Sequence, residues 1–462
     1  MKKKKLALII SLPLIAIILL FIITADGNLF NLQQQTLTIG SSEKLELPFP
    51  INLFNNAAWA SSDPAIASVD QNGIVTANNF YDPSSGAGSA VISAKAAALK
   101  KRFIVNTTME GQIDIMTLPP MMDQFSNYFL IGNIFNPYDT NETEVINGQL
   151  KRHYNALTAE NDMKPDKLAP SPASINTVTA DRMVDAALAS GFKVVGHTLL
   201  WHSQIPGWQA ALRTNNTPAQ EALQLMKEYV TNIVSHFKGR IFTWDVLNEA
   251  FPDDGYSADS DWRDVMRKDA NGNPWYMKIG PDFVYEGFLA ARLADSEAVL
   301  YYNDYNLDQQ AKAAMVRDMV RDINEQYRRE YPGESRLLIE GIGMQSHHNT
   351  EVAPANVRNS INMFRELGVR ISISELDVLS QSWNDYSPNR NPPNNFGKLR
   401  AASLYGEFFR IFLDNADIIE RVTFWGINDE QSWRKTALPL LFQNGLAKPA
   451  YYKVISALKN SQ

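Results

Sequence analysis

Two glutamates in this sequence end apolar stretches that have the composition of buried β-strands. Glu249 closes such a stretch in WDVLNEAF, residues 244–251, where the apolar residues stop at Asn248. Glu375 does the same in ISELD, residues 373–377. Two carboxylates that flank one bond suit glycosidic cleavage, in which one donates a proton to the leaving oxygen. That chemistry requires a fold that brings both strand ends to one cleft.

Polar residues also end most of the other candidate strands. A single polar strand end is commonly satisfied by a local hydrogen bond. Buried charges are costly unless they are paired, so polar ends on seven strands together predict one shared mouth. In chain order these residues are Glu160 and Asn161; His197, Trp201 and His202; Asn248 and Glu249; Asn303 and Asp304; Gln345, His347 and His348; Glu375 and Asp377; Trp425, Asn428 and Asp429.

Other catalytic chemistries fit this set less well. Four of the six histidines, His197, His202, His347 and His348, lie at these strand ends, so a metal site has to be considered. Their spacing does not form an H-E-x-x-H arrangement. The sequence also lacks the G-x-S-x-G turn of a serine nucleophile. We therefore expect neither a metal ion nor a cofactor.

Aromatic and amide side chains accompany the two carboxylates. Binding pockets combine apolar and aromatic walls with a few placed polar groups, and a sugar ring can stack on an aromatic plane while its hydroxyls bind amides. The candidates are Trp201, Trp425 and Trp433 for stacking, and Asn161, Gln204 and Gln345 for hydrogen bonding.

The elements that must position these residues alternate between short apolar strands and amphipathic helices. One helix is predicted from Thr217 to Lys238, with Thr217 as its N-cap. The alternation over residues 117–460 predicts an α/β fold, a closed (β/α)8 TIM barrel whose chemistry lies at the carboxyl ends of its strands. An open doubly wound sheet is the rival, but no Gly-rich phosphate loop follows the first strand. The eight candidate strands begin at Phe129, Tyr154, Lys193, Ile241, Ala298, Leu337, Arg370 and Arg421.

The N-terminal part of the chain has a different sequence pattern from the predicted barrel. Four lysines precede an apolar run over residues 6–23. That run is longer than a usual signal-peptide core and close to the ~18 residues that span a bilayer. Residues 1–26 are therefore a signal peptide or a membrane anchor, and the rest is expected to be extracellular, either secreted or tethered through residues 6–23 to the outer face of the cytoplasmic membrane. Short alternating stretches predict a small all-β domain over residues 34–107.

The composition and net charge limit the classes of partner that the chain is expected to bind. The chain has 462 residues and a net charge of −7, whereas nucleic-acid-binding proteins carry a basic footprint, so no nucleic-acid partner is expected. Cysteine is absent, which excludes disulfides and thiolate metal sites. The length indicates two or more units, and we expect a monomer acting on a neutral substrate.

Several motifs together give the barrel a specific resemblance. They are LTAENDMK, GHTLLWHSQIPGW, WDVLNEA, YYNDYN, GIGMQSHH, ISELD, VTFWGINDEQSW and PLLFQNGLAKPAY. With these motifs in this order, residues 117–460 resemble glycoside hydrolase family 10, which consists chiefly of endo-β-1,4-xylanases. The stretch WASSDPAIASVDQNGIVTANN resembles bacterial immunoglobulin-like domains of the second group.

The resemblance implies a role for each matched residue. Glu249 would be the general acid and base, and Glu375 the nucleophile of a retaining, endo-acting hydrolase of xylan that works through a covalent glycosyl intermediate. Asn248 would bind the 2-hydroxyl of the attacked sugar, His347 would donate to Glu375, and Asp377 would orient His347. The two carboxyl groups should then lie about 5 to 5.5 Å apart.

The remaining matches are substrate contacts to xylan or xylo-oligosaccharides. Glu160, Asn161 and Lys164 match the glycone side, and Tyr305 matches an aromatic residue that stacks on the leaving sugar. The others lie around the attacked ring: His197, Trp201, Gln204, Gln345, Trp425 and Trp433.

Two other functions stay open on the sequence alone. A retaining β-1,4-glucanase would use the same two carboxylates, and a non-catalytic surface polysaccharide-binding protein would keep the cleft without turnover. Two departures from the family pattern bear on specificity: Pro165 after the lysine of NDMK, and a long Asn- and Pro-rich loop from Ser380 to Gly397.

Overall fold

The computed structural model describes residues 33–38, 41–48, 52, 56–64, 66–78, 88–96, 99–108, 113–141, 148–268, 270–388 and 393–459. The predicted signal peptide or anchor, residues 1–26 with its apolar run at 6–23, lies outside these residues. None of the helices in the described ranges has the length and apolar content needed to cross a bilayer.

Seven short strands form two sheets ahead of the barrel. One sheet has the order β1-β7-β6-β3 and the other the order β2-β5-β4. Trp59 stacks on Phe103 at 6.1 Å between ring centroids, and its indole also packs on Gly73, where a Cβ would lie 2.5 Å from the ring. This arrangement is consistent with an immunoglobulin-like domain. The strands are β1 Gln33–Thr38, β2 Ser42–Lys44, β3 Ala58–Ser61, β4 Ala67–Val69, β5 Ile74–Ala77, β6 Gly88–Ala96 and β7 Leu99–Thr108.

Eight parallel strands then close into a barrel, which confirms the predicted fold class. Each strand pairs with the next, and β16 pairs with β8 to complete the ring. Parallel strands covered by helices are buried on both faces, which explains their nearly continuous apolar composition. The strands are β8 Leu130–Phe135, β9 Ala156–Ala159, β10 Lys193–Leu200, β11 Thr243–Asn248, β12 Val299–Asp304, β13 Gly341–Met344 with its short continuation β14 His347–His348, β15 Arg370–Val378 and β16 Ile419–Phe424.

Helices connect the strands around the outside of the barrel. The predicted helix at Thr217–Lys238 exists, but Pro218 is its N-cap residue and no side chain caps it, so the predicted capping by Thr217 is wrong. The α-helices are α1 Met121–Gln124, α2 Pro137–Asn141, α3 Gln149–His153, α4 Pro165–Leu168, α5 Val178–Ala189, α6 Gly207–Ala211, α7 Ala219–His236, α8 Pro274–Ile279, α9 Phe283–Ala294, α10 Gln310–Glu330, α11 Pro354–Arg365, α12 Asn395–Asp414 and α13 Pro449–Lys459.

A small hairpin and a buried ion pair complete the chain after the last barrel strand. The hairpin pairs β17 Phe442–Gln443 with β18 Leu446–Ala447. Just before α13, Lys448 donates to Asp429 at 2.7 Å and to two backbone carbonyls. These bonds fix the segment that follows β16 against the barrel.

Several backbone positions at the carboxyl ends of the strands adopt positive φ without being glycine. They are Gln204 (φ 44°), Glu249 (φ 55°), Asn306 (φ 54°) and Ser346 (φ 59°). This left-handed region is uncommon for residues with a Cβ and often marks functional sites, where surrounding structure maintains the strain. The strain is therefore concentrated at the mouth of the barrel.

Candidate active site

One cavity of about 680 Å³ opens at the carboxyl ends of the barrel strands. Of the fifteen residues predicted for the site, fourteen line it. The exception is Asp377, which lies fully buried behind His347. The lining residues predicted from sequence are Glu160, Asn161, Lys164, His197, Trp201, Gln204, Asn248, Glu249, Tyr305, Gln345, His347, Glu375, Trp425 and Trp433.

Glu249 follows β11 and turns into the cavity through its positive φ. Oε2 accepts a hydrogen bond from Trp201 Nε1 at 2.9 Å, and Oε1 accepts one from Gln345 Nε2 at 2.9 Å. Its side chain is 14% exposed. Asn248 Nδ2 also donates to Oε1 at 3.3 Å, so Glu249 is held by three neutral donors and keeps access to solvent.

Glu375 lies in the middle of β15 and is more deeply buried, with 7% of its side chain exposed. Oε1 accepts from Asn303 Nδ2 at 2.9 Å, and Oε2 lies 3.2 Å from His347 Nε2. Burial alone would raise the pKa of Glu375, but the bond from His347, the nearby His197 and the bond from Asn303 outweigh it and lower the pKa. Glu375 is thereby held as a carboxylate.

His347 connects Glu375 to a second buried acid. Its Nδ1 lies 3.0 Å from Asp377 Oδ1, and Trp433 Nε1 donates to Asp377 Oδ2 at 2.9 Å. Burial would lower the pKa of His347, but Asp377 and Glu375 together raise it to about 9. The pKa of Asp377 is lowered despite its burial because it faces the charged imidazole. The imidazolium therefore donates to Glu375 on one side and forms an ion pair with Asp377 on the other.

An amide network joins the two glutamates. Asn303 Nδ2 donates to Asn248 Oδ1 at 3.0 Å as well as to Glu375. Gln345 Nε2 donates to Asn248 Oδ1 at 3.2 Å as well as to Glu249. The amide of Asn248 thus lies between two NH2 groups. The predicted 5 to 5.5 Å between the two carboxyl groups stays a prediction.

A second polar group lies along the wall formed after β9 and β10. Lys164 Nζ donates to Gln204 Oε1 at 2.7 Å and to Asn161 Oδ1 at 3.1 Å, and it lies 5.1 Å from the Trp201 ring centroid. Burial lowers the pKa of Lys164, while Glu375, Glu160 and Glu249 oppose that change. Glu160 Oε2 accepts a bond from Asn136 at 2.8 Å. These contacts leave the cavity with amide, ammonium and carboxylate groups that can bind hydroxyls.

Aromatic rings surround the carboxylates on the opposite side. His197 is buried, binds Asp245 Oδ2 at 3.0 Å and meets Trp425 at 5.6 Å between ring centroids. Trp433 packs on His347 at 5.0 Å and remains 54% exposed. An exposed indole beside the nucleophile candidate offers a flat apolar face to a sugar ring.

Tyr305 is fixed by two cations. Lys312 Nζ lies 3.7 Å from its ring centroid, and Arg267 donates a short hydrogen bond to its hydroxyl. Lys312 is fully buried and pairs with Asp304 at 3.0 Å. Burial raises the pKa of Asp304 to about 6, against the opposing effect of Lys312. Lys312 and Arg267 therefore hold Tyr305 in place in the wall of the cavity.

Residues 121–457 match the family described as glycosyl hydrolase family 10. The chain belongs to this family.

The most similar proteins agree with this assignment. The family 10 chain is 32% identical over 352 residues to a β-1,4-xylanase of Dictyoglomus thermophilum, covering 74% of this chain and 91% of that protein. It is 33% identical over 370 residues to exoglucanase XynX of Acetivibrio thermocellus, covering 77% of this chain but only 31% of that protein. The chain thus spans less than a third of the length of the first curated relatives that it matches. A solved structure described as a bacterial Ig-like domain containing GH10 xylanase from termite gut is 45% identical, with a TM-score of 0.80, and covers 93% of this chain and 99% of that chain.

Four further residues line the cavity of the family 10 barrel and were not predicted. They are Asp253, Asn306, Trp383 and Arg434. Asp253 and Asn306 lie in loops next to predicted residues, and Arg434 directly follows Trp433. Trp383 lies in the Ser380–Gly397 loop, for which only an effect on specificity was expected. The available signal was a tryptophan in a loop rich in Asn and Pro.

The remaining two strand-end histidines take part in local contacts. His202 Nδ1 lies 3.9 Å from Glu249 Oε2, and His348 Nδ1 lies 3.9 Å from Asp308 Oδ1. Among the described residues, no group of three His, Cys, Asp or Glu side chains is arranged to hold a metal ion.

Proposed function

We propose that this chain is an endo-acting, retaining β-1,4-xylanase. The observation that carries the proposal is that Glu249 and Glu375, from different strands, line one cavity in complementary environments. Glu375 is held as a carboxylate by His347 and Asn303, while Glu249 is more exposed and bound by neutral donors. That asymmetry suits one nucleophile and one proton donor.

In the first step, Glu375 attacks the anomeric carbon and forms a bond to it. The bond between that carbon and the leaving sugar breaks, and Glu249 gives its proton to the departing oxygen. In the second step, Glu249 takes a proton from water, the resulting hydroxyl adds to the same carbon, and Glu375 leaves as a carboxylate. Two displacements at one carbon restore its original configuration.

The surrounding residues would bind the substrate and stabilise this pathway. Asn248 is held by Asn303 and Gln345 where it can bind the 2-hydroxyl of the attacked ring, a contact that strengthens as positive charge develops. His347, kept charged by Asp377, would stabilise Glu375 whenever it is released as an anion. Glu160, Asn161, Lys164 and Gln204 would bind hydroxyls on the glycone side, and Tyr305 would stack on the leaving sugar.

The proposed substrate is xylan with its xylo-oligosaccharides. Relatives named as xylanases at 31 to 32% identity support it, and a relative named as an exoglucanase makes a glucan substrate the alternative to test. The tryptophans and the hydroxyl-binding groups of the cavity suit a neutral polysaccharide.

We also propose that the enzyme acts outside the cytoplasm as a monomer. Residues 1–26 would be a signal peptide or a membrane anchor, and the neutral polymeric substrate supports an extracellular site. The proposed units are an immunoglobulin-like domain at 34–107 and the catalytic barrel at 117–460. The two sheets ahead of the barrel and the termite-gut relative support this division.

Hydrolysis of xylan followed by proton NMR tests the proposal. The intact enzyme should release reducing sugar from xylan far faster than from carboxymethylcellulose, and the β-anomer should appear before mutarotation. Glu375→Ala should lower turnover by several orders of magnitude while its circular dichroism spectrum stays unchanged. An initial α-anomer would contradict the retaining mechanism, and faster release from carboxymethylcellulose would contradict the substrate.

A further inference from the structure

Trp383 is an aromatic residue of the Ser380–Gly397 loop that lines the cavity although no catalytic role requires it. The residue is 41% exposed. It belongs to a well-defined turn, in which Ser382 Oγ donates to Asp385 Oδ2 at 2.7 Å and Tyr386 N donates to Ser382 O at 3.1 Å. An ordered turn therefore holds a large indole at the edge of a binding cavity.

The ring is fixed by its neighbours and not by burial. The guanidinium carbon of Arg434 lies 4.5 Å from the Trp383 ring centroid, and Tyr386 meets the ring edge-on at 6.3 Å. Arg434 also lies 3.9 Å from the centroid of Trp433 and 3.6 Å from Asp377 Oδ1. Arg434 therefore joins Trp383 to Trp433, and both exposed indoles contact the same cation, whose side chain is 11% exposed.

The base of the loop is fixed as well. Ser380 N donates to Ala437 O at 3.0 Å, and Ser380 Oγ donates to Leu438 O at 3.1 Å. At the other end, a Cβ on Gly397 would lie 1.9 Å from Ser380 O, so the two ends of the loop are in direct contact. The loop thus presents Trp383 from a closed base, which lowers the entropy lost when a ligand binds.

We propose that Trp383 is an additional sugar-binding platform, which stacks on a xylosyl ring of the main chain beyond the two rings that flank the cleaved bond. Arg434 is the residue that positions it. One face of the indole meets the guanidinium, and the exposed part lies toward the cavity, where an extended polysaccharide has to pass. This inference rests on the proposed function and deepens it, because it makes the enzyme prefer long chains.

The test compares substrates of different length with the full-length enzyme. Trp383→Ala should lower kcat/KM on linear xylohexaose and on xylan by roughly three- to ten-fold, the size expected for one aromatic stacking contact. On an aryl β-xyloside, whose single sugar ring and aryl group fill only the two positions that flank the cleaved bond, kcat/KM should stay within about two-fold of wild type. Trp383→Tyr keeps an aromatic face and should restore most of the loss on xylohexaose.

Phe396 provides the matched control. It is an exposed aromatic residue of the same loop, 59% exposed, but it does not line the catalytic cavity. Phe396→Ala should leave the values for both substrates unchanged. An equal loss on both substrates for Trp383→Ala would mean that the residue has a structural role. No loss on either substrate would contradict the proposed platform. A loss confined to substituted xylan would mean that the ring binds a side group instead of the main chain. If wild type itself fails to hydrolyse xylan, the proposed function fails and not the platform alone.

Discussion

The charge states of His347, Glu375 and Asp377 depend on one another. Its two ring nitrogens contact Glu375 at 3.2 Å and Asp377 at 3.0 Å. Both carboxylates have lowered pKa values, while the pKa of His347 is raised to about 9. Removing the proton from the imidazole would leave two buried acids without their common partner.

This coupling predicts how stability changes with alkaline pH. A histidine whose folded pKa is about 9, against about 6.5 when unfolded, stabilises the fold below pH 6.5 and loses that contribution as pH rises through 9. The difference corresponds to on the order of 3 kcal/mol. Melting temperatures measured from pH 6 to 10 should therefore fall for wild type and change less for His347→Gln.

His236 supplies the control for that measurement. It binds Asp181 at 2.8 Å on the protein surface, away from the residues that line the cavity. His236→Gln should keep the wild-type slope on the alkaline side. Parallel curves for wild type and His347→Gln would show that His347 is not the group responsible.

At this scale the sequence predicted the polar residues well and the loop residues poorly. Glu249 directly follows β11, Glu375 lies within the carboxyl-terminal half of β15, and a barrel necessarily collects the carboxyl ends of its strands at one mouth. Trp383 and Arg434 meet only because two loops pack together, and no periodicity marks such a contact. Asn303 was recognised as a polar strand end, but its bonds to both Asn248 and Glu375 depend on side-chain geometry.

Among the elements, the Ser380–Gly397 loop has its two ends brought together at a glycine. Gly397 lies in the first turn of α12, where alanine would ordinarily favour the helix. The carbonyl of Ser380 occupies the space that a Cβ needs, at 1.9 Å. Steric conflict with a backbone atom should outweigh the gain in helix propensity.

Gly397→Ala should therefore destabilise the protein by about 1 to 3 kcal/mol, the usual cost of overpacking. Gly333→Ala is the matched substitution, because a Cβ at Gly333 meets no heavy atom within 4 Å. Thermal or urea unfolding of the two variants beside wild type measures the difference. Equal stability of both variants would mean that the loop moves aside without cost.

Element boundaries show where sequence patterns stop being informative. The sixth barrel strand was predicted from Leu337, but it starts at Gly341. Leu338 and Ile339 are fully buried without joining the ladder, and Asn324 instead bonds the backbone of Ile339. An apolar run signals burial, and a strand is only one way to achieve it.

At the scale of the whole molecule, the residues that the structure describes form two hydrophobic cores. One, with Ile92, Phe103 and Val105, belongs to the N-terminal sheets, and the other fills the barrel and its helices. Every predicted site residue lies in the barrel. The catalytic unit therefore depends on its own core for stability.

A shortened protein of residues 113–462 should accordingly fold and keep kcat/KM on an aryl β-xylobioside within about two-fold of the full chain, because separate cores contribute additively. Circular dichroism and initial rates on both proteins provide the measurement. Loss of folding on truncation would mean that the N-terminal strands support the barrel directly.

The amide of Asn303 has a consequence for how this enzyme can change over evolutionary time. It lies on the fifth strand and bonds Asn248 on the fourth and Glu375 on the seventh, so it ties the residue before Glu249 to Glu375, the two acids proposed for catalysis being Glu249 and Glu375. A single side chain therefore influences the distance between those two acids. A descendant with the opposite stereochemical outcome would first have to replace that side chain, before any change in either glutamate could be useful.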